Sequence, residues 1–189
     1  MVYIAVFASG GGSNAREICR HFENHATVQV GLVVTNNPKA GVVKVAEEYN
    51  IPSLILTGKQ LNDSGFLTEL LDKYSIAYII LAGYLKLIPV WLLDKYPDRI
   101  MNIHPSLLPK YGGKGMYGMH VHEAVKSNGD SESGMTVHLV NNEFDKGRIL
   151  FQKKIVITQD MSAEEIAAAV LNLEHANYSK TIEKFITGY

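Results

Sequence analysis

Cysteine is almost absent from this 189-residue chain: Cys19 stands alone, so no internal disulfide can form. That excludes a small disulfide-stapled scaffold and suits a reducing compartment. Long apolar runs are missing too, and none approaches the roughly eighteen residues that cross a bilayer. Met1 leads directly into a strand pattern without a basic leader or a small-residue cleavage site, so a cytoplasmic protein with no membrane partner is expected. Neither sign of charge dominates, with 18 Lys plus Arg against 19 Asp plus Glu and a formal net charge of −1. Without a basic run, tracking along a nucleic-acid backbone is not expected, although a local pocket can still take an anion. Repeats, linkers and low-complexity tracts are lacking, and residues 1–189 read as one domain. The hydrophobic share is 47%, and at this length folding hides about 70% of the chain's surface, so no metal staple is needed for stability.

What is present is alternation. Short β-branched runs at Val2 to Ala8, Val28 to Thr35, Ser53 to Leu56, Ala77 to Ala82 and Ile100 to Ile103 are separated by helix-period segments. Those segments are Asn14 to Phe22, Val42 to Tyr49, Gly65 to Tyr74 and Pro89 to Tyr96, the last opened by its proline. The first run is nearly all apolar, as a central parallel strand covered on both faces must be. The pattern predicts a doubly wound α/β fold with a mostly parallel, Rossmann-like sheet. His104 to His120 has glycines and prolines but no period, and reads as a long functional loop. Val121 to Ser127 reads as a short helix. Gly134 to Val140 and Arg148 to Ile157 flank a turn at Asn141 to Gly147, which predicts an antiparallel pair at a sheet edge. Ser162 with Glu165 three residues on forms a capping-box signature for a last helix running to about Phe185.

Two segments carry chemistry. Ser9-Gly10-Gly11-Gly12-Ser13-Asn14 lies between the first strand and the first helix, where backbone N–H groups can close around an oxyanion. A tight turn needing positive φ is the plainer explanation, but three consecutive glycines exceed that need. Gly10, Gly12 and Ala15 satisfy a loose dinucleotide fingerprint, yet the second strand ends in Thr35-Asn36-Asn37 without an acidic group for a ribose. No Lys-Ser/Thr follows the last glycine, so a P-loop is excluded as well. A phosphomonoester held by Gly11, Gly12, Ser13 and Asn14 remains. The second segment is Asn102-Ile103-His104-Pro105 at the end of the fifth strand, where alternation sends the Asn and His side chains to one side. An amide and an imidazole aimed together can stabilise one developing oxyanion, and the imidazole can also move a proton. By itself the pattern fits a structural histidine beside a strand-end cap equally well.

Asn102 to Pro109, Leu81 to Ile88, Gly134 to His138 and Phe144-Asp145-Lys146-Gly147, taken in this order with the glycine loop, resemble the folate-dependent formyltransferases. The resemblance implies acyl transfer in which Asn102 and His104 polarise a formyl carbonyl and Asp145 orients His104 and assists proton transfer. It further implies that Leu85, Lys86, Leu87, Ile88, Val140 and Asn141, with Asn102 and Asp145, line a site for 10-formyltetrahydrofolate as co-substrate. The short form with a Gly-Ser-Asn loop implies glycinamide ribonucleotide as acceptor in purine synthesis. Its phosphate would lie on Gly11, Gly12, Ser13 and Asn14, with Pro105 beside it and Glu174 on its ribose. Neither metal nor nicotinamide is expected, and the chain would act as monomer or homodimer. Formylation of a tRNA would call for a basic C-terminal domain, hydrolysis of the formyl folate for an N-terminal regulatory domain, and neither is expected here. A non-catalytic phosphate-ligand sensor on the same fold is the remaining alternative. The sequence departs from the family's commonest pattern at Lys86, where Arg is usual, at Gly58-Lys59-Gln60, at Tyr178-Ser179, and in the glycine-rich stretch Tyr111 to Met119. His120 and His122, near His104 in sequence, have a spacing that one strand face could offer to a metal, but no third ligand is specified. His138 reads either as a group behind Asp145 or as a satisfied buried histidine.

Overall fold

The computed structural model describes residues 1–188. Its elements follow the order β1 (Val2–Phe7), α1 (Ser13–Phe22), β2 (Val28–Thr35), α2 (Val42–Glu48), β3 (Ser53–Ile55), α3 (Gly58–Asn62) and α4 (Ser64–Lys73). They continue as β4 (Ile76–Leu81), α5 (Val90–Lys95), β5 (Ile100–His104), α6 (Met119–Ser127), β6 (Glu132–Leu139), β7 (Ile149–Val156) and α7 (Ala163–Thr187). The seven strands form one sheet in the order β3-β2-β1-β4-β5-β6-β7, parallel through β5 and antiparallel for β6 and β7.

β1 shows why such a sheet needs helices on both faces. Ile4, Val6 and Ala8 belong to one apolar cluster, and the alternating Ala5 and Phe7 belong to the other. On the first face the strand side chains meet Ala15, Ile18 and Phe22 of α1, Val42 of α2, Val125 of α6 and Ile166, Val170 and Ile182 of α7. On the second they meet Leu61 of α3, Leu67 and Leu71 of α4 and Leu92 of α5. The two layers of helices thus cover the central strands on both sides, while β7 at the edge stays largely exposed.

The chain winds outward from β1 to β3 and then returns to β4 on the other side of β1. That reversal leaves a crevice at the carboxyl ends of β1 and β4, the place where open α/β sheets bind ligands. Tyr178, fully buried on α7, ties the long helix across this point by donating from its hydroxyl to the Leu81 carbonyl at 2.8 Å. The Ser162–Glu165 capping box that starts α7 is formed as expected. One element was not anticipated. α3 is a five-residue helix begun by a capping box between Thr57 and Gln60, a local signal that pays little in so short a segment and is legible only once the cap is sought.

Candidate active site

The glycine loop owes part of its composition to packing. Gly12 caps α1 with φ +82°, and a Cβ there would stand 2.9 Å from the Val42 Cα of α2. From the opposite side, a Cβ on Gly41 would stand 2.7 Å from the Gly11 carbonyl oxygen, and Val42 N donates to Gly10 O at 3.3 Å. Gly12 and Gly41 therefore lack side chains because loop and helix backbone touch. Gly10 and Gly11 have nothing within 4 Å of their would-be Cβ atoms, so the loop's free edge is Gly10, Gly11 and the exposed Ser13. Ser9 fixes that edge to the sheet. Its hydroxyl donates to Asn36 Oδ1 at 2.5 Å and accepts from Leu85 N at 3.0 Å, and its backbone N donates to Gly83 O at 3.0 Å. One side chain thereby joins the segments that follow β1, β2 and β4.

At the end of β5, Asn102 and His104 leave the sheet on one side, and the antiparallel register sets Asn102 opposite His138 and His104 opposite Thr136. Asp145 enters from the β6–β7 turn with φ +58°, a conformation Asp tolerates better than most residues. Its Oδ2 accepts from Gly113 N at 2.9 Å and lies 3.5 Å from His104 Nδ1. Its Oδ1 lies 3.5 Å from both Asn102 Nδ2 and His138 Nε2. His138 is buried, and its Nδ1 donates to the Leu139 carbonyl at 2.8 Å, so in the neutral ring Nε2 is the acceptor for Asn102 Nδ2 at 3.1 Å. His138 thus holds the Asn102 amide, a part that sequence reasoning left undecided because the β5–β6 register is not local.

Burial pushes the His104 pKa below the usual histidine value, although the Asp145 carboxylate and the Tyr111 carbonyl pull the other way. The ring is therefore neutral at rest. A carbonyl oxygen can only accept, so the 2.7 Å contact from His104 Nε2 to Tyr111 O places the hydrogen on Nε2 and leaves Nδ1 as the basic nitrogen. For Asp145, burial acts to raise the pKa, but the neighbouring His138 and His104 rings and the Gly113 N–H together carry it below the ordinary carboxylate value. Asp145 is ionised at neutral pH.

These groups share the wall of a cavity of about 590 Å³. Leu85, Lys86, Leu87 and Ile88 line it on one side, and Val140, Asn141 and Asp145 on another, all of them expected folate-site residues. Leu85 and Leu87 are about half exposed, at 53% and 47%, an unusual state for leucine next to a crevice. Pro105, Asn14 and Glu174 also line it, whereas Gly11, Gly12 and Ser13 lie outside that lining. Asn14 Nδ2 donates to Glu174 Oε2 at 2.7 Å, bringing together residues 160 positions apart. Burial raises the Glu174 pKa to about 7 against the opposing hydrogen bond from Asn14. His122 lines the same cavity, 5% exposed, with its Nδ1 shut from solvent and unpartnered. His120 instead faces Gly115 O at 3.4 Å, and among the described residues no group of three His, Cys, Asp or Glu is arranged to hold a metal ion. No helix among them is long and apolar enough to cross a membrane.

Comparison with known proteins identifies the family. Residues 2–182 match the family model described as formyl transferase. The chain is 36% identical over 191 residues to the phosphoribosylglycinamide formyltransferase of Bacillus subtilis (strain 168), covering 98% of this chain and 95% of that protein. It is 44% identical over 187 residues to the chloroplastic phosphoribosylglycinamide formyltransferase of Arabidopsis thaliana, covering 95% of this chain and 63% of that protein. A Vigna unguiculata relative is covered to 59%, so the chain spans about three fifths of the length of these two plant relatives. Among solved structures, phosphoribosylglycinamide formyltransferase from Anaplasma phagocytophilum superposes with a TM-score of 0.89 at 28% identity, over 99% of this chain and 88% of the other. The Streptococcus pneumoniae TIGR4 structure of that name gives 0.85 at 29% identity over 98% and 99% of the two chains. With residues 2–182 matched to that family model, the chain belongs to the formyl transferase family.

Proposed function

We propose that this protein, acting as one formyltransferase domain, transfers a formyl group from 10-formyltetrahydrofolate to the amine of glycinamide ribonucleotide. The observation that carries the proposal is the convergence of Asn102, His104 and Asp145 on one cavity. A wall of Leu85, Leu87 and Ile88, broken only by Lys86, flanks that cavity, which also has a polar corner at Asn14 and Glu174. Such a cavity suits two substrates of unlike polarity that must meet, and the names of the matched relatives supply the acceptor.

The acceptor's neutral amine attacks the formyl carbon, and the carbonyl oxygen becomes the oxyanion of a tetrahedral intermediate. Asn102 turns one amide N–H to that oxygen, where a fixed dipole in a water-poor site stabilises charge as it forms. His104 Nδ1 takes the proton that the amine loses. Asp145 then faces an imidazolium 3.5 Å away and stabilises it. His104 returns the proton to the folate nitrogen as the carbon–nitrogen bond breaks, giving tetrahydrofolate and the formylated amide. Holding both substrates in contact removes much of the entropic barrier. Gly11, Gly12, Ser13 and Asn14, at the N-terminus of α1, receive the phosphate, and Glu174 accepts from the ribose hydroxyls.

Steady-state assay of tetrahydrofolate release tests this. Release requires both substrates if the proposal holds. Release without the ribonucleotide would make the protein a hydrolase, and binding of the ribonucleotide without turnover would make it a sensor.

A further inference from the structure

Tyr111 lies in the long loop after His104, where no role was assigned to it. It holds φ +55°, a left-handed conformation that a bulky residue keeps only when its surroundings impose it. The constraints are visible. Its ring packs against the apolar cluster on the α7 face of the sheet. Its hydroxyl donates to Asp130 Oδ2 at 2.9 Å and accepts from Asn128 Nδ2 at 2.8 Å, both just beyond the C-terminus of α6. Its carbonyl, aimed by that backbone conformation, accepts from His104 Nε2 at 2.7 Å.

We propose that Tyr111 is a positioning residue for His104: the carbonyl, anchored through the hydroxyl to Asn128 and Asp130, fixes the Nε2–H tautomer and keeps Nδ1 as the basic nitrogen toward Asp145. A neutral imidazole has one hydrogen, and here two acceptors compete for it. The Asp145 carboxylate at 3.5 Å would draw the hydrogen to Nδ1, and the ring would then have no lone pair at the nitrogen beside Asp145. Tyr111 O wins by proximity. The same turn weakens its rival, since Gly113, two residues on, donates to Asp145 Oδ2 at 2.9 Å and occupies the oxygen that faces His104. Lys110 also reaches Asp130, at 3.3 Å, but its side chain is largely solvated and adds little. The proposal rests on the acyl-transfer reading only for the use made of Nδ1; the tautomer stands apart from it.

Nitrogen NMR of histidine-labelled protein at neutral pH reads the tautomer directly. The wild type should show His104 with a protonated Nε2 and a bare Nδ1. Tyr111→Phe and Asp130→Ala should each move a measurable fraction of His104 to the Nδ1–H form and lower kcat about three- to tenfold, the scale of one lost hydrogen bond, with both KM values within about twofold. Asp130→Asn keeps an acceptor oxygen for the hydroxyl and should restore both readouts. A role confined to stability would lower Tm in these variants and leave the tautomer and kcat as in the wild type, which would overturn the proposal; so would an Nδ1–H signal from wild-type His104. If the wild type shows the Nε2–H tautomer but no formyl transfer, the functional reading falls and the positioning of His104 does not.

Discussion

Replacing Gly12 by alanine adds one methyl group at the point where the glycine loop rests on α2. The φ of +82° puts an L-residue in left-handed space, which costs about 1–2 kcal/mol. The new Cβ would stand 2.9 Å from the Val42 Cα, a backbone atom that cannot swing aside, and overpacking of this kind costs about 1–3 kcal/mol. Partial relaxation of the loop makes about 3 kcal/mol a fair central value, and for a chain of this size that lowers Tm by about 6–12 °C. Gly11→Ala provides the contrast, because its φ is not positive and its Cβ would meet nothing within 4 Å. It should melt within about 2 °C of the wild type yet weaken binding of a phosphorylated acceptor, since it puts a methyl group on the loop's free edge. Differential scanning calorimetry of both variants, with titration of ribose 5-phosphate into each, decides the matter. A Gly12→Ala protein as stable as the wild type would show that the contact with α2 does not shape this loop, and a Gly11→Ala protein that binds the phosphate normally would remove the phosphate from that edge.

Asp145→Asn keeps an acceptor for Gly113 N–H and tolerates φ +58°, so the fold and both KM values should survive while kcat falls by about 10²-fold in steady-state assay. Glu174 binds its proton more tightly in the folded protein, with a pKa of about 7 against an ordinary 4.5, so stability is full below about pH 4.5 and declines as pH rises toward 7. Urea titrations across that range should lose up to about 3 kcal/mol in the wild type, and Glu174→Gln should flatten the slope. Tyr178→Phe removes the hydroxyl from Leu81 O and leaves a buried carbonyl short of a donor, which should lower Tm by about 3–6 °C without altering turnover.

The layers of this fold were legible because they are written locally. Val2 to Ala8 has the apolar continuity of a doubly covered strand, Ser162 and Glu165 sit at capping-box spacing, and the β6–β7 turn follows from two β-branched runs around Asn141 to Gly147. The site was legible in its parts and opaque in its assembly. Asn102 and His104 share a strand, but whether either meets Asp145 depends on β6 pairing antiparallel with β5, and no local pattern states that. The same register turns His138 into the partner of Asn102. Asn36 had served only as an argument against a dinucleotide, yet it holds Ser9. Gly12 was read for a ligand, and it also packs against Val42, a neighbour thirty positions away. Tyr111 was legible only as part of a functional loop, because its φ and its hydroxyl partners exist only once α6 is in place.

Label transfer tests the central claim most directly. With 10-formyltetrahydrofolate carrying ¹³C at the formyl carbon and an equal amount of glycinamide ribonucleotide, carbon NMR should show the formyl signal leave the folate and reappear on the acceptor's amine at the rate of tetrahydrofolate formation, with Asn102→Ala and His104→Ala both slow. Label appearing as free formate, or staying on the folate while the ribonucleotide is bound, would contradict the account.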